Sequence, residues 1–207
     1  MAVSLSSQLY EPTDYYKSDV PEGVSGEWEV KRFTLPVVPA GQISEASPEV
    51  PHWMLHRPGR YTRLKVGGID MMTDLYEEWW SQREAITEGL QRGGHILISG
   101  LGLGMIIECL LRPETSPVER ITVLEQSADV ITLVAPHLQA RYGERLEILH
   151  TSVFEWAPPA AAHYSVTWHD IWPKPDAAYR HEITVLESKF ARCSDWQGTW
   201  TQESYAV

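Results

Sequence analysis

Gly100, Gly102 and Gly104 alternate with Leu101 and Leu103 just after an apolar run, Ile96-Leu97-Ile98. Glycines at such positions let the chain turn tightly and let a ligand approach the main chain with no Cβ in the way. A helix opening directly after them would offer unpaired N–H groups and the positive end of its dipole. About twenty positions further on, Val123-Leu124 runs into Glu125. A carboxylate at the end of the neighbouring strand can accept both hydroxyls of a ribose. The loop and the acid are therefore expected to grip opposite sides of one nucleoside.

The elements that must position these residues alternate in type. The Asp74-x-x-Glu77 spacing predicts a helix start with an Asp cap, and Leu75, Trp79, Ile86 and Leu90 continue at helical spacing until Gly93-Gly94. Strands are expected at His95–Ser99, Arg120–Leu124, Leu146–His150 and Tyr164–His169. Helices are expected at Gly104–Arg112, at Ala128–Ala140 with Pro136 a potential break, and at Asp176–Arg192. Such alternation calls for a parallel sheet with helices on both faces. Residues 1 to about 60 are proline-punctuated instead, with candidate strands at Glu27–Val38 (Trp28, Val30 and Phe33 on one side) and Tyr61–Val66 around a long loop. The expected division is a Pro-rich extension with a β-hairpin at 1–70, a nucleoside-binding unit at 71–194, and a tail or edge strand at 195–207.

Dinucleotide folds favour Gly-x-Gly-x-x-Gly with a small sixth residue, and Met105 at that position opposes a pyrophosphate ligand. The Gly-x-Gly-x-Gly run instead resembles motif I of class I S-adenosylmethionine-dependent methyltransferases. Glu125 matches the ribose-binding acid of that family, and Thr151-Ser152-Val153-Phe154 looks like its Gly-Asp-Ala-Phe segment. The apolar Ile98 ahead of the loop, the β-rich front end and an acid after the fourth strand make spermidine synthase-like proteins the nearest likeness. The resemblance implies a Rossmann-like α/β fold, shortened at the C-terminus, with an N-terminal β-rich extension. It implies S-adenosylmethionine as cofactor, held by Gly100, Leu101, Gly102, Gly104, Glu125, Gln126, Ser152 and Val153.

The same resemblance makes Asp170 the candidate catalytic residue. Transfer from a sulfonium is an in-line displacement, in which the protein positions and desolvates the reactants. An amine acceptor must shed a proton, and a nearby carboxylate can take it. Trp172 would wall the site, whereas His169, one strand residue away, should point to the opposite face. Three departures qualify the likeness. Ser152 replaces the adenine-contacting Asp, Asp170-Ile171-Trp172-Pro173 lacks the second acid of an aminopropyl transferase, and only 34 residues follow Pro173. Methyl transfer to a small-molecule or protein acceptor is thus the leading expectation. The alternatives are aminopropyl transfer and a non-catalytic nucleoside-binding assembly protein.

Composition narrows the partners. The chain has 207 residues, is 43% hydrophobic and 22% charged, and carries a net charge of −11. These values exclude disorder throughout, and the acidic balance argues against a nucleic-acid partner. Cys109 and Cys193 fit no metal-ligand spacing, so no metal is expected and reduced thiols are the simpler reading. The most apolar stretch, His95–Leu111, is broken by glycines and suits a strand, turn and helix better than a membrane span. The chain's first fifteen residues have no signal-peptide pattern, and the expected address is the cytoplasm. The Pro-rich segment is a candidate dimer arm.

Overall fold

The computed structural model describes residues 16–36, 58–174 and 176–200, which form two sheets. The first is antiparallel, with β1 (Gly23–Ser25), β2 (Trp28–Leu35), β3 (Gly59–Val66) and β4 (Ile69–Thr73) in sequence order. The expected hairpin is present as β2 paired with β3, Val30 opposite Leu64. Strand β4 extends the sheet three residues past the expected division at 70. Phe33 lies on the face away from Val30, opposite Tyr61, as the two-residue period of a strand demands. Most of the long loop expected between these strands, and residues 1–15, fall outside the described residues.

Two helices follow, α1 (Tyr76–Ser81) and α2 (Arg83–Arg92), where one was expected. The cap reading of Asp74 is overturned. Leu75 holds the N-cap position without a side-chain bond, while the buried Asp74 carboxylate accepts the Ser18 and Thr62 N–H groups at 2.9 and 2.6 Å. A buried carboxylate takes whatever amides lie nearest, and here those belong to the antiparallel sheet and its leading segment. Gly93, at φ 64°, ends α2 as its position predicts.

The second sheet is parallel throughout, in the order β7 (Leu146–His150), β6 (Val118–Glu125), β5 (Gly94–Ser99), β8 (Val166–His169), β9 (Gln197–Thr199). Helix α3 (Met105–Leu111) links β5 to β6, α4 (Ala128–Tyr142) links β6 to β7, and α5 (Arg180–Phe190) links β8 to β9. Alternate residues of β5 explain the two faces. Ile96 and Ile98 pack with Ile86, Ile107, Leu110 and Val134 of α2, α3 and α4, whereas Leu97 packs with Leu186 and Phe190 of α5. Pro136 sits inside α4 without ending it, because buried Val130, Val134, Ala135 and Leu138 hold the helix on both sides of the missing donor. Helix α5 starts later than expected, since Asp176 caps a short 3-10 turn at Ala177–Tyr179 first.

The chain runs outward from β5 through β6 and β7, then crosses back to β8. Loops leaving β5 and β8 therefore diverge, and a crevice opens at their carboxyl ends. The antiparallel sheet covers this crevice: Val30 and Leu64 share a buried cluster with Ile98, Leu101 and Leu103. It is fastened to α4 by Ser25 Oγ, which donates to Asp129 at 2.7 Å. Among the described residues no helix is long and apolar enough to cross a membrane.

Candidate functional site

A cavity of about 660 Å³ lies at the carboxyl ends of β5, β6, β7 and β8. Gly100, Leu101, Gly102, Gly104, Glu125, Gln126, Ser152, Val153 and Asp170 all line it. The fold thus gathers residues spread over seventy positions of sequence onto four neighbouring strand ends. Trp28, Leu64, Val66, Met71 and Met72 of the antiparallel sheet close the other side.

All three loop glycines take the positive φ that a tight turn requires, and packing gives a further reason for them. Gly100, at φ 97°, passes so close to the Asp170 carbonyl that any Cβ would collide with it. At Gly102 a Cβ would meet the Met72 thioether, and at Gly104 the Leu138 side chain. The bare main chain is needed for packing loop against protein as well. Met72 Sδ also accepts the Leu103 N–H at 3.2 Å, so a thioether from β4 rests on the loop.

The loop and the acid do not face each other across a gap. Leu101 N–H donates directly to Glu125 Oε2 at 2.8 Å, and Ser127 N–H donates to Oε1 at 2.7 Å. Burial explains this, since a carboxylate withdrawn from water must find donors. It also fixes the carboxylate at the cavity wall, with lone pairs remaining on both oxygens. The Ser152 hydroxyl accepts the Phe154 N–H of its own turn at 3.3 Å and keeps its O–H donor.

Asp170 follows β8, and its side chain turns into the cavity while the preceding His169 turns away. His169 is fully buried, pairs through Nδ1 with Ser99 Oγ at 2.9 Å, and packs against Phe190. Burial pushes its pKa down to about 4, so it is a neutral structural histidine. Asp170 accepts a hydrogen bond from Gln82 Nε2 at 3.0 Å, and burial still lifts its carboxyl to about 7. Trp172 lines the cavity as well, held by its Nε1 donating to Glu182 at 2.7 Å and by Tyr179 at 5.9 Å between ring centroids.

Among the cavity residues that sequence reasoning missed are Glu78, Gln82 and Met72. Glu78 and Gln82 are four apart, the spacing of one helical face, and that was the available signal. Nothing in the sequence joins them to Asp170. Burial, with the nearby Asp170 and Glu77 charges, pushes Glu78 up to about 8. Cys109 and Cys193 are free thiols, and among the described residues no three His, Cys, Asp or Glu side chains are placed to hold a metal ion.

No family model and no curated protein matches this chain. Solved structures similar to parts of it include coclaurine N-methyltransferase bound to N-methylheliamine and S-adenosylhomocysteine. That structure shares 15% identity over 59% of this chain and 34% of its own, with a TM-score of 0.43. Magnesium protoporphyrin IX methyltransferase from Synechocystis PCC 6803, with S-adenosylhomocysteine bound, matches at 13% identity over 58% of this chain and 52% of its own, TM-score 0.40. The 23S rRNA methyltransferase ErmE matches at 18% identity, 57% and 44% coverage, and TM-score 0.41. This chain thus spans about half or less of the length of each. What its site can do is decided by its own residues.

Proposed function

We propose that this chain is a class I S-adenosylmethionine-dependent methyltransferase, acting on a small-molecule or protein acceptor held beside Asp170. The observation that supports this most is that one cavity is lined at once by the glycine loop, Glu125, residues 151–153 and Asp170. Its volume of about 660 Å³ suits a nucleoside with an acceptor beside it. Glu125 passes a test of fit: two main-chain N–H groups occupy part of its capacity, and a carboxylate has about four acceptor positions. The remainder can receive two ribose hydroxyls. Main chain at Leu101, Gly102, Gly104 and Gln126 would flank the sugar, with Val153 and the Ser152 main chain against the base.

When bound, the donor supplies an electrophilic methyl on sulfur with a neutral thioether as leaving group. The chain's own contribution is to orient the acceptor and exclude water. In such a transfer the Asp170 carboxylate would take the proton that the acceptor loses. With its pKa near 7, that group is matched to proton transfer at neutral pH.

Calorimetry with S-adenosylhomocysteine and NAD tests the cofactor, and mass spectrometry of co-purified ligand tests it independently. Binding of the sulfur nucleoside without NAD is expected, and the reverse would overturn the reading. Aminopropyl transfer, the alternative from the spermidine synthase-like motifs, would yield methylthioadenosine instead of S-adenosylhomocysteine. A purely binding role would leave the donor unconsumed.

A further inference from the structure

We propose that Lys189 is a positioning residue for the base of the donor: from behind the cavity wall, its ammonium holds the turn 152–156 in the shape that faces the nucleoside. The inference rests on the methyl-transfer reading and adds a residue that acts through this turn rather than by touching the ligand.

The sequence leaves this turn short of donors. Residues 152–156 make a single turn, in which the Glu155 and Trp156 N–H groups both donate to the Ser152 carbonyl, at 3.1 and 2.9 Å. A continuing helix would satisfy the next two carbonyls from residues 157 and 158. Pro158 has no N–H to give, and a residue ahead of a proline is steered away from helical geometry, so Ala157 does not extend the ladder. The Val153 and Phe154 carbonyls are thereby left at the open end of the turn. Lys189, in the last turn of α5 and 35 positions beyond Phe154, donates to both, at 2.6 Å to Val153 and 2.9 Å to Phe154. Hydrogen bonds from a charged donor are roughly twice as strong as neutral ones.

Apolar packing holds the turn from the same side. Val153 is buried with Leu97, Leu124, Leu186 and Phe190, and the Trp156 ring stacks on Phe190 at 6.3 Å between centroids. Thr151, Ser152, Val153 and Phe154 line the cavity, whereas Lys189 does not. Packing sets how deep the turn sits. Two directional bonds from one ammonium also fix its rotation, and so the direction in which its main chain points. Ser152 stands where the methyltransferase resemblance expects a carboxylate. Reading of the base edge therefore falls on this main chain and one hydroxyl, both of which move with the turn.

Calorimetry with adenosine, inosine and 2′-deoxyadenosine separates the base from the sugar. The wild-type protein should prefer adenosine to inosine. In Lys189→Met, adenosine affinity should fall roughly tenfold, the worth of about one hydrogen bond, and the preference over inosine should shrink with it. The preference for adenosine over 2′-deoxyadenosine, set by Glu125, should stay. Lys189→Arg keeps a charged donor with N–H groups for both carbonyls and should restore the base preference. If Lys189→Met does not fold, Lys189→Gln, with N–H donors but no charge, should show a smaller loss of the same kind. Equal weakening of all three ligands would mean a structural role alone and overturns the inference. So does an unchanged base preference in a folded Lys189→Met protein, or a wild type that binds adenosine and inosine alike. If neither S-adenosylhomocysteine nor adenosine binds the wild type, the underlying methyl-transfer reading falls. If both bind and the Lys189 variants behave as wild type, only the role of Lys189 falls.

Discussion

Replacing Glu125 by Gln probes the nucleoside grip without changing side-chain volume. The buried carboxylate accepts two main-chain N–H groups, one per oxygen, and on the proposed reading two ribose hydroxyls as well. Gln keeps one acceptor oxygen and turns the other into an NH₂ that faces an N–H. One hydroxyl loses its acceptor and the other exchanges a charged acceptor for a neutral one. Charged hydrogen bonds are worth about 1.5–3 kcal/mol each and neutral ones nearer 1, so the net loss is about 2–5 kcal/mol. That corresponds to roughly 30- to 5,000-fold weaker S-adenosylhomocysteine binding. The unliganded protein should also melt several degrees lower, because either Leu101 or Ser127 is left with an unmet N–H. Titration calorimetry measures the first effect and thermal unfolding the second. Adenosine and 2′-deoxyadenosine localise it: the wild-type preference for adenosine should shrink in the variant. Wild-type affinity in a folded Glu125→Gln protein, or an unchanged adenosine preference, would refute the assignment of the ribose to this carboxylate.

Asp170→Asn should keep S-adenosylhomocysteine affinity while turnover falls by roughly two to four orders of magnitude, the usual worth of a general base, as read by methyl incorporation. Turnover in the wild type should rise with pH through about 7, because burial raises the Asp170 pKa and only the ionised form accepts a proton; a rate falling over that window would contradict the role. Met72→Ala should tighten S-adenosylhomocysteine binding severalfold in calorimetry, since the thioether resting on the glycine loop no longer has to be displaced. Gly100→Ala combines a left-handed φ of 97° with a collision at the Asp170 carbonyl. It should cost upwards of about 2 kcal/mol, visible as a shift in the chemical-denaturation midpoint.

Much of the parallel sheet was legible because local pattern carries it. The apolar runs at Ile96–Ile98 and Ile121–Leu124 mark strands buried on both faces, and the glycines mark the sharp exit from β5. Asp170 and His169 were separable for the same reason, since neighbouring strand residues must point to opposite sides. The errors came where long-range partners overrode a local signal. Asp74 has the spacing of a cap, yet its carboxylate is taken by Ser18 and Thr62. Pro136 should threaten a helix, yet packing on both sides of it holds α4 together.

The sequence by itself therefore determined the alternation of strands and helices in the parallel sheet, the sharp turn at the glycines, and which acids end which strands. These depend on residue type and spacing over a few neighbours. Only the tertiary structure decided that Glu125 touches the loop, that Met72 reaches over it from another sheet, and that Glu78 and Gln82 stand beside Asp170. Those contacts join residues from 24 to 88 positions apart. Their geometry is set by how two sheets pack, a property that no short window of sequence contains.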